Sequence, residues 1–437
     1  MEGVIAVTHS GKCSHKMGLY LVDRPVFATG KVRFKGEPVA AVAALTEDIA
    51  AAAIKKIKVK YKMLPLVDNI EDALKKNATL VHPDLMKYSY LPIYYPKKGT
   101  NIFNHFPLRK GDIKKGFKQS HKIYENEFTL PQIQHVPMEP HGAIAKWDRN
   151  DKLTVYSSVQ SPFTLRNLLR LAFGLSHKDV RVIAPYVGGG FGGKAGINME
   201  PLAVALAKEA KGKWIKLIFS REEVFLGTTV RQAMRARVKT GISKNGRIIA
   251  EDIEMVFDGG AYAEYGTNVV RAAGYTCIGP YDIENVKGDT YGVYTNHLVG
   301  GAFRGFGHGE LHWAVESQMD IIANDLKMDP AEFRRLNVLK PGSINSMGEK
   351  ITKHTGDMVA CIDAVAKDLK WGKPSKKPAK PYIKSGKGLA VLEKAPAMPA
   401  NATSCARVKF NEDATVIVHF SGMEIGQGCI TALTQIA

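Results

Sequence analysis

The segment Gly188-Gly189-Gly190-Phe191-Gly192-Gly193-Lys194 constrains the fold more than any other part of the 437-residue chain. Five glycines surround one aromatic within six residues. Glycine loses more conformational freedom on folding than any other residue, so this density marks a place where backbone must approach something closely. An apolar run at 180–187 precedes the segment and reads as a short buried strand. An amphipathic helix is expected near 198–211. A strand, a Gly-rich loop and a helix set free N–H groups where an anionic or oxygen-rich ligand can sit. A nucleotide phosphate loop is the first candidate, because residues 188–194 fit G-x-x-x-x-G-K. The next position should then be Ser or Thr to hold magnesium, and it is Ala195. Phe191 also stands inside the cradle. Both residues argue against a phosphate loop, and a glycine-rich turn without a ligand stays open at this point.

A chain of this length divides into two to four domains. Its net charge of +19 raises nucleic acid as a partner. The lysines are scattered, however, with no aromatic-interleaved basic stripe, and the densest cluster, 373–387, alternates with prolines like a linker. The charge reads as a solvated surface that can dock acidic partner subunits rather than nucleic acid. The cysteines, Cys13, Cys277, Cys361, Cys405 and Cys429, are widely spaced and form no C-x-x-C. That pattern argues against structural zinc or an iron–sulfur cluster within the chain and fits a reducing compartment. The first residues lack a signal-peptide pattern, and no apolar run approaches the roughly 18 residues of a membrane helix. A cytoplasmic protein without a membrane segment is expected.

Along the chain, a strand in 32–43, a helix at 47–57 capped by Thr46 and a strand at 58–61 are expected. Residues 87–116, with Pro92, Pro96 and Pro107, read as irregular. Strands follow at 122–130 and 153–159, then a helix at 163–173 with Leu165, Leu168, Leu169 and Leu171 on one broad face. Gln160 falls between that strand end and that helix start, a position that favours functional side chains in α/β folds, although a plain turn glutamine has the same signature. A strand at 214–220, a hairpin around Lys244-Asn245-Gly246, and helices at 310–326, 330–337 and 357–369 complete the first part. Strands at 388–392, 406–410 and 416–420 and a helix from Cys429 close the chain. The opening apolar run and the short final helix both read as cut from a larger unit.

Three glycine-rich loops share one grammar: GGGFGGK at 188–194, AFRGFG at 302–307 and GQG at 426–428. Together with Gln160 they resemble the molybdenum-binding subunit of the xanthine oxidase and aldehyde oxidoreductase family, the molybdenum hydroxylases, over nearly the whole chain. The resemblance implies an α+β fold: a partial α/β hammerhead domain at 1–98, a connector at 99–118, a first molybdopterin-binding domain at 119–342, a linker at 343–385 and the start of a second such domain at 386–437. It implies a molybdopterin cofactor in its cytosine dinucleotide form, with no protein side chain ligating the metal. It implies 2Fe-2S and FAD on partner subunits, and a further chain completing the second domain where the subunit is split. The reaction it implies is hydroxylation of an N-heteroaromatic compound or aldehyde with oxygen from water. Hydride passes to a sulfido or selenido ligand of molybdenum, and electrons leave through the partner chains.

By the same resemblance, Gln160 hydrogen-bonds a molybdenum oxygen, and the Phe191 and Gly192 N–H groups face a buried oxygen. Gly190, Phe303 and Arg304 meet the cofactor, with Arg304 at the catalytic centre. Phe306 packs on the substrate ring, and Gly426, Gln427 and Gly428 form a pterin-binding turn. Phe306 alone would read as core. Ala195 stands where purine-oxidising members carry glutamate, and Arg271 lies near a substrate-orienting arginine, so a xanthine substrate is disfavoured. The branch that resembles this chain most is that of nicotinate dehydrogenase and the aldehyde oxidoreductases. A cysteine expected for the carbon monoxide branch is absent between Gly300 and Glu310. The family's general-base glutamate matches no carboxylate here, so the chain alone is expected to be inactive. Glu139, in His135-Val136-Pro137-Met138-Glu139-Pro140-His141, reads as structural rather than metal-binding. The alternatives are a non-catalytic structural subunit of the same fold and a basic nucleic-acid-binding protein.

Overall fold

A computed structural model describes residues 1–13, 15–374, 380–394 and 405–437. Its largest element is a five-stranded sheet in the order Ile102–Lys110, Asn285–Tyr294, Ile248–Gly260, Ala233–Ile242, Lys122–Leu130. Every neighbouring pair is antiparallel except Ile248–Gly260 with Asn285–Tyr294. The hairpin expected around Lys244-Asn245-Gly246 forms, with Gly246 at φ 82°. Helices Gly266–Tyr275 and His308–Asp325 touch each other and pack on this sheet, the first over Asn285–Tyr294 and Ile102–Lys110, the second over Lys122–Leu130 and Ala233–Ile242.

The strand Ile102–Lys110 and the helix Ile113–Gln119 correct the reading of 99–118 as a connector. Pro107 interrupts the alternation of this strand in the sequence. Pro107 is tolerated because this strand is at the sheet edge, where one row of N–H groups has no ladder partner.

A second core surrounds a four-stranded sheet in the order Trp214–Ile218, Gly142–Trp147, Leu153–Ser157, Val180–Ile183. Leu153–Ser157 and Val180–Ile183 run parallel, joined by the helix Pro162–Phe173, which buries Leu165, Leu168 and Leu169 while Leu171 is only partly covered. The expected strand at 180–187 stops at Ile183, two residues before Pro185, which has no N–H to donate. The helix Glu200–Glu209 is apolar nearly all round, as EPLAVALA requires for burial on both sides. It lies between Gly142–Trp147 and the N-terminal pair Val4–His9 with Ala40–Ala44. Thr46 caps the helix Glu47–Ile54 as expected. Residues 58–61 alternate like a strand but lie exposed with no pairing partner, so no strand forms there.

Residues 388–392 are likewise extended without a ladder. They are held by side chains instead. Leu389 and Val391 enter the large core, and Val391 N–H donates to Glu316 Oε2 at 2.9 Å. The hairpin Ala406–Phe410 with Val416–Phe420 and the helix Cys429–Ile436 follow. The proline–lysine tract lies partly outside the described residues. Among those described, no helix is long and apolar enough to cross a membrane.

Glu316 is itself buried against Arg334, which is fully buried and donates through Nε at 2.8 Å, and Tyr281 donates to the other carboxylate oxygen. Removing one partner of such a pair strands a buried charge. Arg334→Met is therefore expected to cost about 3–5 kcal/mol in urea unfolding. A loss below 1 kcal/mol, the ordinary size of a surface pair, would show the network to be solvated.

Candidate functional site

A cleft of about 1320 Å³ opens where five segments meet: 136–139, Gln160, 188–195, 302–306 and 425–427. The strand Leu153–Ser157 brings Gln160 to its rim, the Gly-rich loop leaves Val180–Ile183, and residues 302–306 lead into the helix His308–Asp325.

Gln160 is fixed from both ends. Its N–H donates to Lys194 O at 2.8 Å, and its Oε1 accepts from Gly192 N at 2.9 Å and Lys194 N at 3.2 Å. Two N–H donors on one atom decide which end of the amide is oxygen. The NH₂ group is then the free end, with no acceptor among the described residues, on a residue that lines the cleft. Of the pair Phe191 and Gly192, only the Phe191 N–H is left without an acceptor, because Gly192 serves Gln160. The Gly190 N–H is also unmatched. Glycine is required at 192: φ is 104°, and a Cβ there would lie 2.5 Å from Ala302 O.

The second loop is tied to the first by Arg304 N–H donating to Phe191 O at 2.9 Å. Beneath it, Phe303 is held between two side chains. His135 stacks on one side at 4.2 Å, and the Arg231 guanidinium lies 4.1 Å from the ring centroid. Arg231 also donates to Glu310 at 2.6 Å and to Arg304 O at 2.6 Å. His135 Nε2 donates to Ala302 O at 2.7 Å. Phe306 lines the cleft and meets Tyr265 edge-on at 5.9 Å.

The segment 135–141 thus braces both loops. Glu139 Oε2 accepts from Gly188 N at 2.7 Å and from Lys194 Nζ at 2.7 Å, while His141 Nε2 donates to Gly193 O at 3.1 Å. The structural reading of Glu139 agrees with these contacts. Burial pushes the pKa of His135 down to about 4 and lowers that of His141, so both rings are neutral donors. Among the described residues no group of three or more His, Cys, Asp or Glu is arranged to hold a metal ion.

The third loop organises itself. Glu424 Oε1 accepts from Gly426 N at 2.8 Å and Gly428 N at 3.0 Å, which holds its carboxyl below the usual range. Gly426 and Gln427 line the cleft, whereas Gly428 starts the helix Cys429–Ile436 behind it. Arg271 needs a correction. It does not line the cleft but is buried in the helix Gly266–Tyr275, donating to Ile93 O and Tyr275 Oη among the rings of Tyr94, Phe106 and Tyr275. The guanidinium is enclosed by these contacts and is not among the groups that line the cleft. Ala195 is on the cleft wall.

Sequence reading missed Arg231 and the part played by His135. The partners of Arg231 are 73 and 79 residues away, so no local pattern marks it. His135 stands in a segment that reads as structural, with nothing local to mark its stacking on Phe303.

Family models match the chain as follows: molybdopterin cofactor-binding domain at 94–338, aldehyde oxidase and xanthine dehydrogenase a/b hammerhead domain at 1–65, and a second molybdopterin cofactor-binding domain at 364–437. The chain is 32% identical over 440 residues to a probable xanthine dehydrogenase subunit of Bacillus subtilis (strain 168), covering 100% of this chain and 56% of the relative. It is 33% identical over 358 residues to the nicotinate dehydrogenase large molybdopterin subunit of Eubacterium barkeri, covering 82% of this chain and 80% of the relative. The structure is similar to the aldehyde oxidoreductase from Desulfovibrio gigas, with a TM-score of 0.76 and 26% identity over 85% of this chain and 40% of that one. The chain spans about half the length of several curated relatives it matches. The expected fold class, a hammerhead portion followed by mixed α/β cofactor-binding domains, agrees with these matches.

The neutral state of His135 makes the brace acid-sensitive. An unfolded histidine titrates near 6.5 and the folded one near 4, so between these values the unfolded chain binds a proton that the folded chain excludes. Stability therefore falls as pH drops through this window, by about 3 kcal/mol from this residue. His135→Gln is expected to flatten the slope of unfolding free energy between pH 6.5 and pH 4. Equal slopes in the two proteins would remove His135 from the acid response.

Proposed function

The chain belongs to the xanthine dehydrogenase and aldehyde oxidase family as a molybdopterin-binding subunit, and on that premise we propose that it forms the molybdenum site of a hydroxylase acting on an N-heteroaromatic compound or an aldehyde. The observation that carries this reading is Gln160, whose oxygen is consumed by two backbone donors and whose NH₂ is left at the cleft. The names of the Eubacterium barkeri relative and the Desulfovibrio gigas enzyme support the two substrate classes.

The cleft fits such a cofactor. It offers unmatched donors at Gln160 Nε2, Gly190 N and Phe191 N, a glycine wall that brings backbone close, and room for a large group. When bound, the molybdenum cofactor supplies the two-electron oxidation and activates water as the oxygen source. Gln160 Nε2 and the Phe191 N–H are fixed before any reaction, so they hold an oxygen of the cofactor without reorganisation. Gly190, Gly192, Phe303, Arg304, Gly426 and Gln427 shape the cradle, with Gly428 ending the turn. Phe306 offers its ring to a flat substrate by offset stacking. Ala195 leaves space beside it where a carboxylate would otherwise select a polar ring.

Proton handling points outside these residues. Glu139 is the carboxylate that lines the cleft, and it is committed to Lys194 and Gly188. We infer that the proton acceptor is contributed from beyond this chain, as are 2Fe-2S and FAD subunits that receive the electrons. The cytosine dinucleotide form of the cofactor and a cytoplasmic location belong to the same reading.

The experiment is to purify the complete enzyme and measure molybdenum and turnover together. Gln160→Ala should lower kcat about 100-fold with molybdenum retained, since one fixed donor is lost. Unchanged turnover at full molybdenum content would sink that role, and a complex with intact partner subunits but no molybdenum would sink the whole reading. Phe306→Ala should raise KM about 5-fold for ring substrates and leave small aliphatic aldehydes unaffected. Equal effects on both classes would deny the stacking contact.

A further inference from the structure

A second cavity, of about 360 Å³, lies between the first turn of the helix Pro162–Phe173, the 3₁₀ turn His177–Asp179 and the strand Val180–Ile183. It shares no lining residue with the cleft. Phe163, Arg166, His177, Lys178 and Arg181 form its walls. Arg166, Lys178 and Arg181 make no ion pair and no hydrogen bond among the described residues. The neighbouring carboxylate, Asp179, is occupied by the Ser176 hydroxyl.

Against these three positive charges stands one neighbouring carboxylate, Asp179, which leaves a net positive concavity that is held at least cost when an anion sits among them. Arg166 adds a more specific sign. Its Nε is shut off from solvent and has no acceptor, an unmet donor of the kind that folded proteins rarely leave. Its guanidinium lies 5.3 Å from the Phe163 ring centroid, and Phe163 is 71% exposed on the same wall. The helix adds to this field, because Ser161 gives no side-chain cap to the first-turn N–H groups. An open aromatic face beside unpaired arginines suits a flat ring carrying an anionic head. The volume falls within the usual range for small-molecule pockets.

We propose that this cavity binds a small anion of the nucleotide class, with its phosphate on Arg166, Lys178 and Arg181 and its ring against Phe163. Binding needs no metal and no redox partner, and it is independent of the molybdenum reading.

The test is calorimetric titration of the full chain with AMP, ribose 5-phosphate and adenosine at low and high salt. AMP should bind saturably and more weakly as salt rises. Adenosine should not bind, and ribose 5-phosphate should bind several-fold more weakly than AMP. Lys178→Ala with Arg181→Ala should weaken AMP about 10-fold. Both side chains are exposed, so circular dichroism should be unchanged. Phe163→Ala should bring AMP down to the level of ribose 5-phosphate. Absent AMP binding, or binding unchanged in the double variant, overturns the site. Equal affinity for AMP and ribose 5-phosphate in the wild type overturns the ring contact and with it the nucleotide class.

Discussion

Lys194 and Glu139 close the Gly-rich loop, and the geometry of the cleft depends on that closure. The Lys194 side chain is fully buried, and its ammonium would be expelled without an anionic partner. Burial lowers its pKa, and the hydrogen bond to Glu139 opposes that shift. The same carboxylate oxygen takes the Gly188 N–H, so one atom holds the first and last residues of the loop. Between these anchors the chain has little freedom. Gly192 and Lys194 turn their N–H groups to Gln160, Gly193 offers its carbonyl to His141 and Asn198, and the N–H groups of Gly190 and Phe191 are left without an acceptor among the described residues. The unmatched donors are thus a product of the bonds on either side of them.

Among the described residues, three of the eight non-glycine positions with positive φ lie at the same place. Val136, Phe191 and Phe306 all line the cleft, and all three have left-handed backbone, at φ 47°, 52° and 53°. For a β-branched residue such as Val136 this conformation is especially unfavourable. Each position costs about 1–3 kcal/mol and persists only where neighbours over-determine it. Those neighbours are visible. Ile133 pairs with Arg231, Val230 and Gly300 form a bridge, and Arg231 fastens the Arg304 carbonyl. A wall held in this way is shaped before any ligand arrives, which is what hydrogen-bonding to a fixed oxygen requires.

Much of this was legible in the sequence because the site is made of backbone. A loop that must bring main chain close to a ligand can be built from few residues other than glycine, so GGGFGGK, AFRGFG and GQG mark the site in the sequence itself. The long strands were equally legible, since Lys122–Leu130 and the hairpin around Gly246 alternate in the open. What stayed hidden depends on distance. Residues 58–61 carry a strand pattern without a neighbour, while Ile102–Lys110 lacks the pattern but has a neighbour, and pairing decides both. Arg271 reads as near a substrate-orienting arginine until its aromatic enclosure is seen. Arg231 carries no local mark because its role is to join segments far apart in the chain.

The third loop reaches the cleft by a different physical route from the other two. Its contacts with the Gly-rich loop include two backbone bonds, Val187 N to Glu424 O at 3.4 Å and Gly189 N to Ile425 O at 3.1 Å. So few bonds could not impose a shape. The shape is set internally instead: Glu424 gathers the N–H groups of Gly426, Gly428 and Ile430, and Gln427 binds the Ile425 N–H and the Met423 carbonyl with its own amide. A turn already rigid needs only to be placed, and two bonds along the edge of the Gly-rich loop suffice for placement. The division of labour follows from the chemistry. Residues 188–195 are shaped by the surrounding protein, residues 425–427 by themselves, and the cleft is the space that remains when the two are aligned.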